Sequence, residues 1–342
     1  MKTVFPKYYG KFKCRADKCS DNCCIGWEID IDGDTLEKYD SLDGKLGEKI
    51  RKGIVRDDGA PHFKMNGERC TFLNEQNLCD IICVLGDCGL CDICREHPRF
   101  YNELCGVTLG GVGMSCEAAA ELILSERPML YGDVSELLSP ECDDIESGEL
   151  IAKAVLDIEN ILTSDEISDN ERIYCAFSRM AELDRRLNEI LYGDADSESE
   201  DMLSSIKSML FEKEPKIIED ALGIIPKLEL MTCELEEKLG KAKWERVCEL
   251  FGCSADFRRV ILSSLGYLIL RYLPSSIEEG ALSSMNVILA SLIYLALLYS
   301  ECEGFSGRAS QGGKIYDDVV RAAVLYSKEI EYCEENIEKL KL

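Results

Sequence analysis

Nineteen cysteines run through this chain of 342 residues, and twelve of them fall within residues 1–116. They come in short-interval groups. The first is Cys14, Cys19, Cys23 and Cys24; the second is Cys70, Cys79 and Cys83; the third is Cys88, Cys91 and Cys94, followed by Cys105 and Cys116. Short intervals let one loop offer several soft thiolates to a single centre, the requirement of zinc and iron–sulfur sites. Four thiolates suit Zn²⁺ or an iron–sulfur cluster equally, so spacing leaves the metal open. The Cys88, Cys91, Cys94 run begins like a ferredoxin motif, but the fourth cysteine is replaced by Pro98, with His97 one place earlier. The triplet of radical enzymes is also missing, because Gly26 stands where its third cysteine would follow Cys19 and Cys23. In an extended segment Cys23 and Cys24 would point to opposite sides, which makes one shared iron site awkward for both. The later cysteines, Cys142, Cys175, Cys233, Cys248, Cys253, Cys302 and Cys333, read as small buried hydrophobes.

The elements that must position these thiols are short. Residues 27–31 alternate apolar and acidic side chains and predict a strand. Asp34 with Glu37 three places later predicts a capped helix start. A helix from Leu78 would put Cys79 and Cys83 on one face. Residues 105–109 predict a strand, and Gly110, Gly111 and Gly113 a flexible turn after it. Ser115 is expected to cap a helix over 116–124 whose first turn holds Cys116, where a helix N-terminus favours thiolate. Beyond residue 126 apolar residues recur at helical intervals over 172–192, 202–220, 229–251, 255–273, 284–302 and 316–340. An acidic linker at 193–201 and a Gly/Ser-rich loop at 304–313 separate some of them. The expected fold is mainly α: a small cysteine-rich metal-binding N-terminal module with short strands over 1–125, then an all-helical domain over 126–342.

Composition narrows the function. Hydrophobic content of 46% with 30% charged residues is that of a globular chain. The start carries lysines but no apolar run of signal-peptide length, so a cytoplasmic chain with reduced thiols is expected. The uncharged run 287–299 is shorter than the roughly 20 residues a membrane span needs and reads as a buried core helix. Net charge is −26, of which residues 1–125 contribute only −5. Such a surface repels phosphate backbones and disfavours nucleic acid, while it suits a cationic partner such as a lysine side chain. The glycines at 110–113 do not follow the dinucleotide-binding pattern, and no phosphate-loop, zinc-protease or nucleophile-elbow motif is present.

The motifs PKYYGKFKC at 6–14, CSDNCCIGW at 19–27, CTFLNEQNLCDI at 70–81, CDICREHPR at 91–99 and SCEAAAELIL at 115–124, in this order, resemble the flagellin lysine-N-methylases with their cysteine-rich zinc- or iron-chelating domain. The C-terminal run 315–340 also looks like that family's closing helix, so the resemblance spans nearly the whole chain, more weakly in the middle. It implies S-adenosylmethionine-dependent methylation of lysine amines on flagellin, with a four-iron four-sulfur (4Fe-4S) cluster taking part and zinc as the alternative. The cysteines that match by motif are Cys14, Cys19, Cys23, Cys24, Cys70, Cys79, Cys94 and Cys116, whereas Cys83, Cys88, Cys91 and Cys105 look like additions. Eight exceed the four ligands of one cubane, so some are structural or there is a second site. The sequence singles out no catalytic or donor-binding residue. A non-enzymatic reading stands beside it: a metal-stabilised helical interaction protein with structural zinc or cluster.

Overall fold

A computed structural model of the chain describes residues 2–57, 59–127, 131–193, 198–305 and 316–341. Helices dominate, and the few strands are short. Contacts divide the chain into two units that interleave in sequence. One is Lys13–Arg99 with Cys116–Ala118; the other is Met1–Phe12, Phe100–Ser115 and Ala119–Leu342.

The cysteine-rich unit is built from small pieces around one apolar centre of Ile29, Ile31, Tyr39, Ile50, Ile54, Phe63, Phe72 and Ile81. Helices Gly33–Ser41 and Gly44–Lys52 supply Tyr39 and Ile50, both fully buried. The first is capped by Asp32, whose Oδ1 accepts the Thr35 N–H at 2.9 Å; Asp34 lies inside its first turn rather than capping it. Two two-stranded ribbons follow, pairing Ile54–Val55 with His62–Phe63 and Met65–Asn66 with Arg69–Cys70. The strand expected over 27–31 reduces to a single bridge, Asp30 with His62, with another, Ile25 with Arg69, just before it. The loop residues between them are spaced by turns, so no ladder propagates.

The larger unit carries a three-stranded sheet in which Lys2–Val4 runs parallel to Val107–Val112, itself the neighbour of Arg99–Leu104. The turn between the last two is Cys105–Gly106, with φ of 44° and 81°. Two positive φ values in a two-residue connection are those of a hairpin turn matched to strand twist. Cys105 is therefore a corner rather than the start of a strand. Gly110 and Gly111 lie inside the strand, not in a flexible turn. A Cβ at Gly110 would come within 2.3 Å of the Phe5 ring, and one at Gly111 within 2.4 Å of the Phe100 ring. Glycine is there for close packing. The sheet is tied to the helices of its own unit: Asn102 Nδ2 donates to Arg271 O at 2.9 Å, and the Met114 N–H to Tyr267 Oη at 3.3 Å.

Helix Ala281–Ser300 is the axis of that unit. It packs against Ala255–Tyr272, Asp169–Tyr192, Asp317–Tyr326 and Trp244–Cys253. By length and composition it could cross a membrane, but 83% of its apolar window is buried among the surrounding helices. An all-round apolar helix is what a buried axis requires. Asp169–Tyr192 begins at a full capping box between Ser168 and Glu171 and ends at Gly193 in the left-handed conformation. Helix Ile145–Thr163, absent from the sequence-based expectation, buries Ile151, Val155, Ile158 and Leu162 along one stripe.

Three expected helices are each broken. The 202–220 segment becomes Ser199–Lys207, a π-type turn Ser208–Glu212 and Lys216–Leu222, interrupted at Pro215. The 229–251 segment splits into Glu234–Lys241 and Trp244–Cys253. The 316–340 segment is Asp317–Tyr326, a π-type turn Ser327–Glu331 and Glu334–Leu340. That second π-type turn buries Glu331 beside Tyr267 Oη at 2.9 Å, Tyr272 Oη at 3.1 Å and Arg271 Nε at 3.4 Å. The central residues of the acidic linker, 194–197, and most of the Gly/Ser-rich loop, 306–313, lie outside the described residues.

Candidate metal centre

The thiols of the cysteine-rich unit gather around two foci. At the first, a short 3-10 turn, Ala16–Lys18, separates Cys14 from Cys19, and Cys14 Sγ accepts the Ala16 N–H at 3.4 Å. The next residues are held by one carboxylate. Glu117 accepts the Ser20 N–H at 3.0 Å, the Asp21 N–H at 2.6 Å and the Ser20 hydroxyl. Cys116 directly precedes the helix Glu117–Ser125, so this anchor draws Cys19 and Cys116 to one place. Burial pushes the Cys19 thiol up to about 12, and neighbouring Cys116, Glu117, Cys14 and Cys23 add to the rise. The cap expected from Ser115 is not made: its hydroxyl is buried without a hydrogen-bond partner.

At the second focus, Cys24 O accepts the Cys70 N–H at 2.9 Å, and the Cys24 N–H is turned inward onto Asn22 Oδ1 at 2.9 Å. Cys79 bridges to Leu73 and directly precedes the helix Asp80–Leu85. Its register is fixed by Asn74, whose Oδ1 accepts the Gln76 and Leu78 N–H groups, both at 3.0 Å. Cys91 and Cys94 lie at either end of one turn, with Cys91 before the helix Asp92–Glu96 and Cys94 within it. Asp32 reaches this helix too, its Oδ2 accepting the Asp92 N–H at 2.8 Å. One aspartate thus caps two helices. Cys70 and Cys91 are part of the apolar centre, and Cys24, Cys79 and Cys94 pack against it.

Electrostatics records the crowding. Burial raises Cys70 to about 11, with Cys79, Cys91 and Cys23 nearby, and burial raises Cys79 as well. A hydrogen bond between the Cys91 and Cys94 thiols lowers Cys91 and raises Cys94, and Cys94 also feels Cys24 and Cys79. Cys24 is raised foremost by a hydrogen bond with Cys23, then by burial and by Cys79 and Cys70. A turn closed by the Ile25 N–H on Asn22 O lets these adjacent thiols meet. The opposite-facing arrangement of an extended strand does not apply there.

Thus Cys14, Cys19, Cys23 and Cys116 neighbour one focus, and Cys24, Cys70, Cys79 and Cys94 the other. Cys91 belongs with the second group although motif comparison passes it over; its sequence signal is the two-residue interval to Cys88 on one side and to Cys94 on the other. Cys83 and Cys88 are exposed. Cys105 lies in the other unit, and its sulfur is 2.7 Å from that of Cys142. Cys233 and Cys253, expected as buried hydrophobes, are also exposed.

The donor set is soft, half-buried and converging, which suits a thiolate-binding metal. It suits Zn²⁺ and an iron–sulfur cluster alike.

The helical unit contains a separate cavity of about 560 Å³. Trp244, Phe251, Ile173 and Leu292 form apolar walls, with Lys213 and Arg258 at its polar side. The Trp244 indole N–H is buried there with no hydrogen-bond partner.

Comparison with known proteins finds relatives over part of the chain. A protein of Salmonella muenchen named Flagellar biosynthetic protein FliU is 26% identical over 128 residues, 35% of this chain and 76% of that protein. Two proteins named Lysine-N-methylase, from Salmonella typhimurium and Salmonella choleraesuis, are each 25% identical over 128 residues, and the match covers only 32% of their length. No family model matches the chain, and no solved structure does. Over about a third of its length this chain is thus similar to proteins named lysine-N-methylase, a likeness consistent with the flagellin lysine methylase family.

Proposed function

We propose that the chain is a protein-lysine N-methyltransferase that acts on flagellin, takes its methyl group from S-adenosylmethionine and holds an iron–sulfur cluster in the cysteine-rich unit. The observation that carries the metal reading is the convergence of Cys24, Cys70, Cys79 and Cys94 over one apolar centre. The choice of a cluster over Zn²⁺ rests on the resemblance of the cysteine motifs. The names of the partial relatives carry the methylase and flagellar reading.

In this reading the thiols of Cys24, Cys70, Cys79 and Cys94 are the ligands of the cluster. Cys14, Cys19, Cys23 and Cys116 form the adjoining thiol group, available to a second metal or to the same loop's stability. A bound cluster held by all four thiolates would have no open iron and would staple together the loops that carry them. Asp32 and Glu117 keep the loops in register, each satisfying backbone N–H groups that flank the thiols. The apolar cavity beside Trp244 is a fitting receptacle for a flat aromatic donor group, with its orphaned indole N–H seeking an acceptor. For transfer, the lysine ammonium first gives one proton to solvent; the neutral amine's lone pair then forms the N–CH₃ bond as the sulfonium C–S bond breaks, leaving a methylated ammonium and the neutral thioether S-adenosylhomocysteine. A surface of net charge −26 draws the cationic side chain to the protein before that step.

The test is anaerobic purification, iron and sulfide analysis, and incubation with S-adenosylmethionine and flagellin from the same cell. Flagellin gaining mass in steps of one methyl group supports the reading. Colourless protein with stoichiometric zinc overturns the cluster, and absence of both donor binding and transfer overturns the methylase.

A further inference from the structure

We propose that Cys105 and Cys142 are a redox-active dithiol that closes reversibly to a disulfide, tying the Cys105–Gly106 hairpin turn to the entry of helix Ile145–Thr163. Neither residue is among the eight cysteines expected at a metal, and both lie in the larger unit. Their sulfurs are 2.7 Å apart, with the Cys142 thiol donating to Cys105 Sγ and the Cys105 thiol to Asp144 O at 3.5 Å.

The backbone around the pair is fixed independently of the thiols. The Ser139 N–H donates to Cys105 O at 2.7 Å, the Cys142 N–H to Ser139 O at 3.1 Å, and the Ile145 N–H to Cys142 O at 3.3 Å. Gly148 completes the fit. A Cβ there would stand 2.5 Å from Cys105 Sγ, so only glycine leaves the sulfur its place. The two sulfurs need a small approach to reach a bond of about 2.0 Å.

Exposure assigns the order of events. Cys142 is partly exposed and Cys105 is buried. The oxidant is a low-molecular-weight disulfide, RSSR. The Cys142 thiolate attacks one of its sulfurs, the S–S bond breaks, and RS⁻ leaves and takes up a proton. Cys105 then gives up its proton and attacks the Cys142 sulfur, expelling the second RS⁻. Two protein thiols lose two electrons and two protons, and RSSR becomes two RSH. Burial pushes the Cys105 thiol up to about 12, so the closing step quickens as pH rises.

The test uses the full chain, reduced and then equilibrated anaerobically in buffers of glutathione and glutathione disulfide. Acid quenching, alkylation with iodoacetamide, proteolysis and mass spectrometry follow. The expected result is a linked peptide pair containing Cys105 and Cys142, its fraction rising with glutathione disulfide. The melting midpoint of the larger unit should rise by several degrees on closure. Both effects should vanish in Cys142→Ser, which alters the partly exposed member and keeps the fold if Cys105→Ala does not. Recovery of both cysteines as alkylated thiols in glutathione disulfide alone would overturn the proposal. So would Cys142 recovered joined to glutathione while Cys105 stays free.

Discussion

Glu117→Ala should release the loop that carries Cys19 and Cys23 while leaving the apolar centre of the same unit in place. The carboxylate is buried and accepts the backbone N–H groups of Ser20 and Asp21 at 3.0 and 2.6 Å, together with the Ser20 hydroxyl. A hydrogen bond to a charged group is worth about 1.5–3 kcal/mol net. Ser20 is exposed, so water replaces part of what the three bonds give, and about 3 kcal/mol is a reasonable loss for the loop. At about 1.4 kcal/mol per tenfold, amide exchange at Ser20 and Asp21 should accelerate on the order of 100-fold. Glu117→Gln keeps one acceptor oxygen and should give roughly half of that free-energy loss. The control is the Phe63 amide, which donates to Ile29 O at 3.0 Å inside the centre and should keep its protection. Hydrogen exchange read residue by residue checks this. Unchanged protection at Ser20 and Asp21 would refute the anchoring role, and an equal loss at Phe63 would mean the loop and the centre open as one.

Two further outcomes concern the larger unit. Glu331→Ala strands the Arg271 guanidinium and the hydroxyls of Tyr267 and Tyr272, and should cost about 3–5 kcal/mol in urea unfolding. A loss below about 1 kcal/mol would mean that water replaces the carboxylate there. Gly111→Ala sets a Cβ 2.4 Å from the Phe100 ring and 3.0 Å from Leu270, and should destabilise the unit by about 1–3 kcal/mol through overpacking. An unchanged melting midpoint would show that the ring simply moves aside.

The sequence carried the helical class because apolar periodicity survives any detail of tertiary packing. It also carried the main axis, since an uncharged run such as 287–299 has few ways to be satisfied except burial. Helix ends were harder. Pro215 is a visible stop inside the 202–220 segment. The break at Ser327–Glu331 was not visible, because Glu329 and Glu331 are buried only through partners that arrive from elsewhere. Glu329 accepts the Met231 N–H at 2.6 Å and the Thr232 hydroxyl at 2.6 Å, contacts spanning nearly a hundred residues. The glycines at 110 and 111 are ambiguous for a related reason. A glycine wanted for its flexibility and one wanted for a missing Cβ look the same in a sequence, and only Phe5 and Phe100 distinguish them.

The same limit governs the thiols. Local spacing brings Cys91 and Cys94 together, and a helical turn joins Cys79 to Cys83, since the Cys83 N–H donates to Cys79 O at 3.0 Å. Yet Cys83 is exposed and Cys79 is half-buried, so a shared helical face does not give the two thiols the same surroundings. What selects Cys79 is the bridge to Leu73 and the Asn74 turn, which bring it to Cys70 and Cys24. Cys116 is likewise recruited to Cys19 over nearly a hundred residues by the Glu117 carboxylate, which no interval rule anticipates. The eight motif-matched cysteines then have a physical arrangement. The thiols surround two foci that meet at the Cys23–Cys24 turn, so a change at either of these adjacent residues must be felt at both.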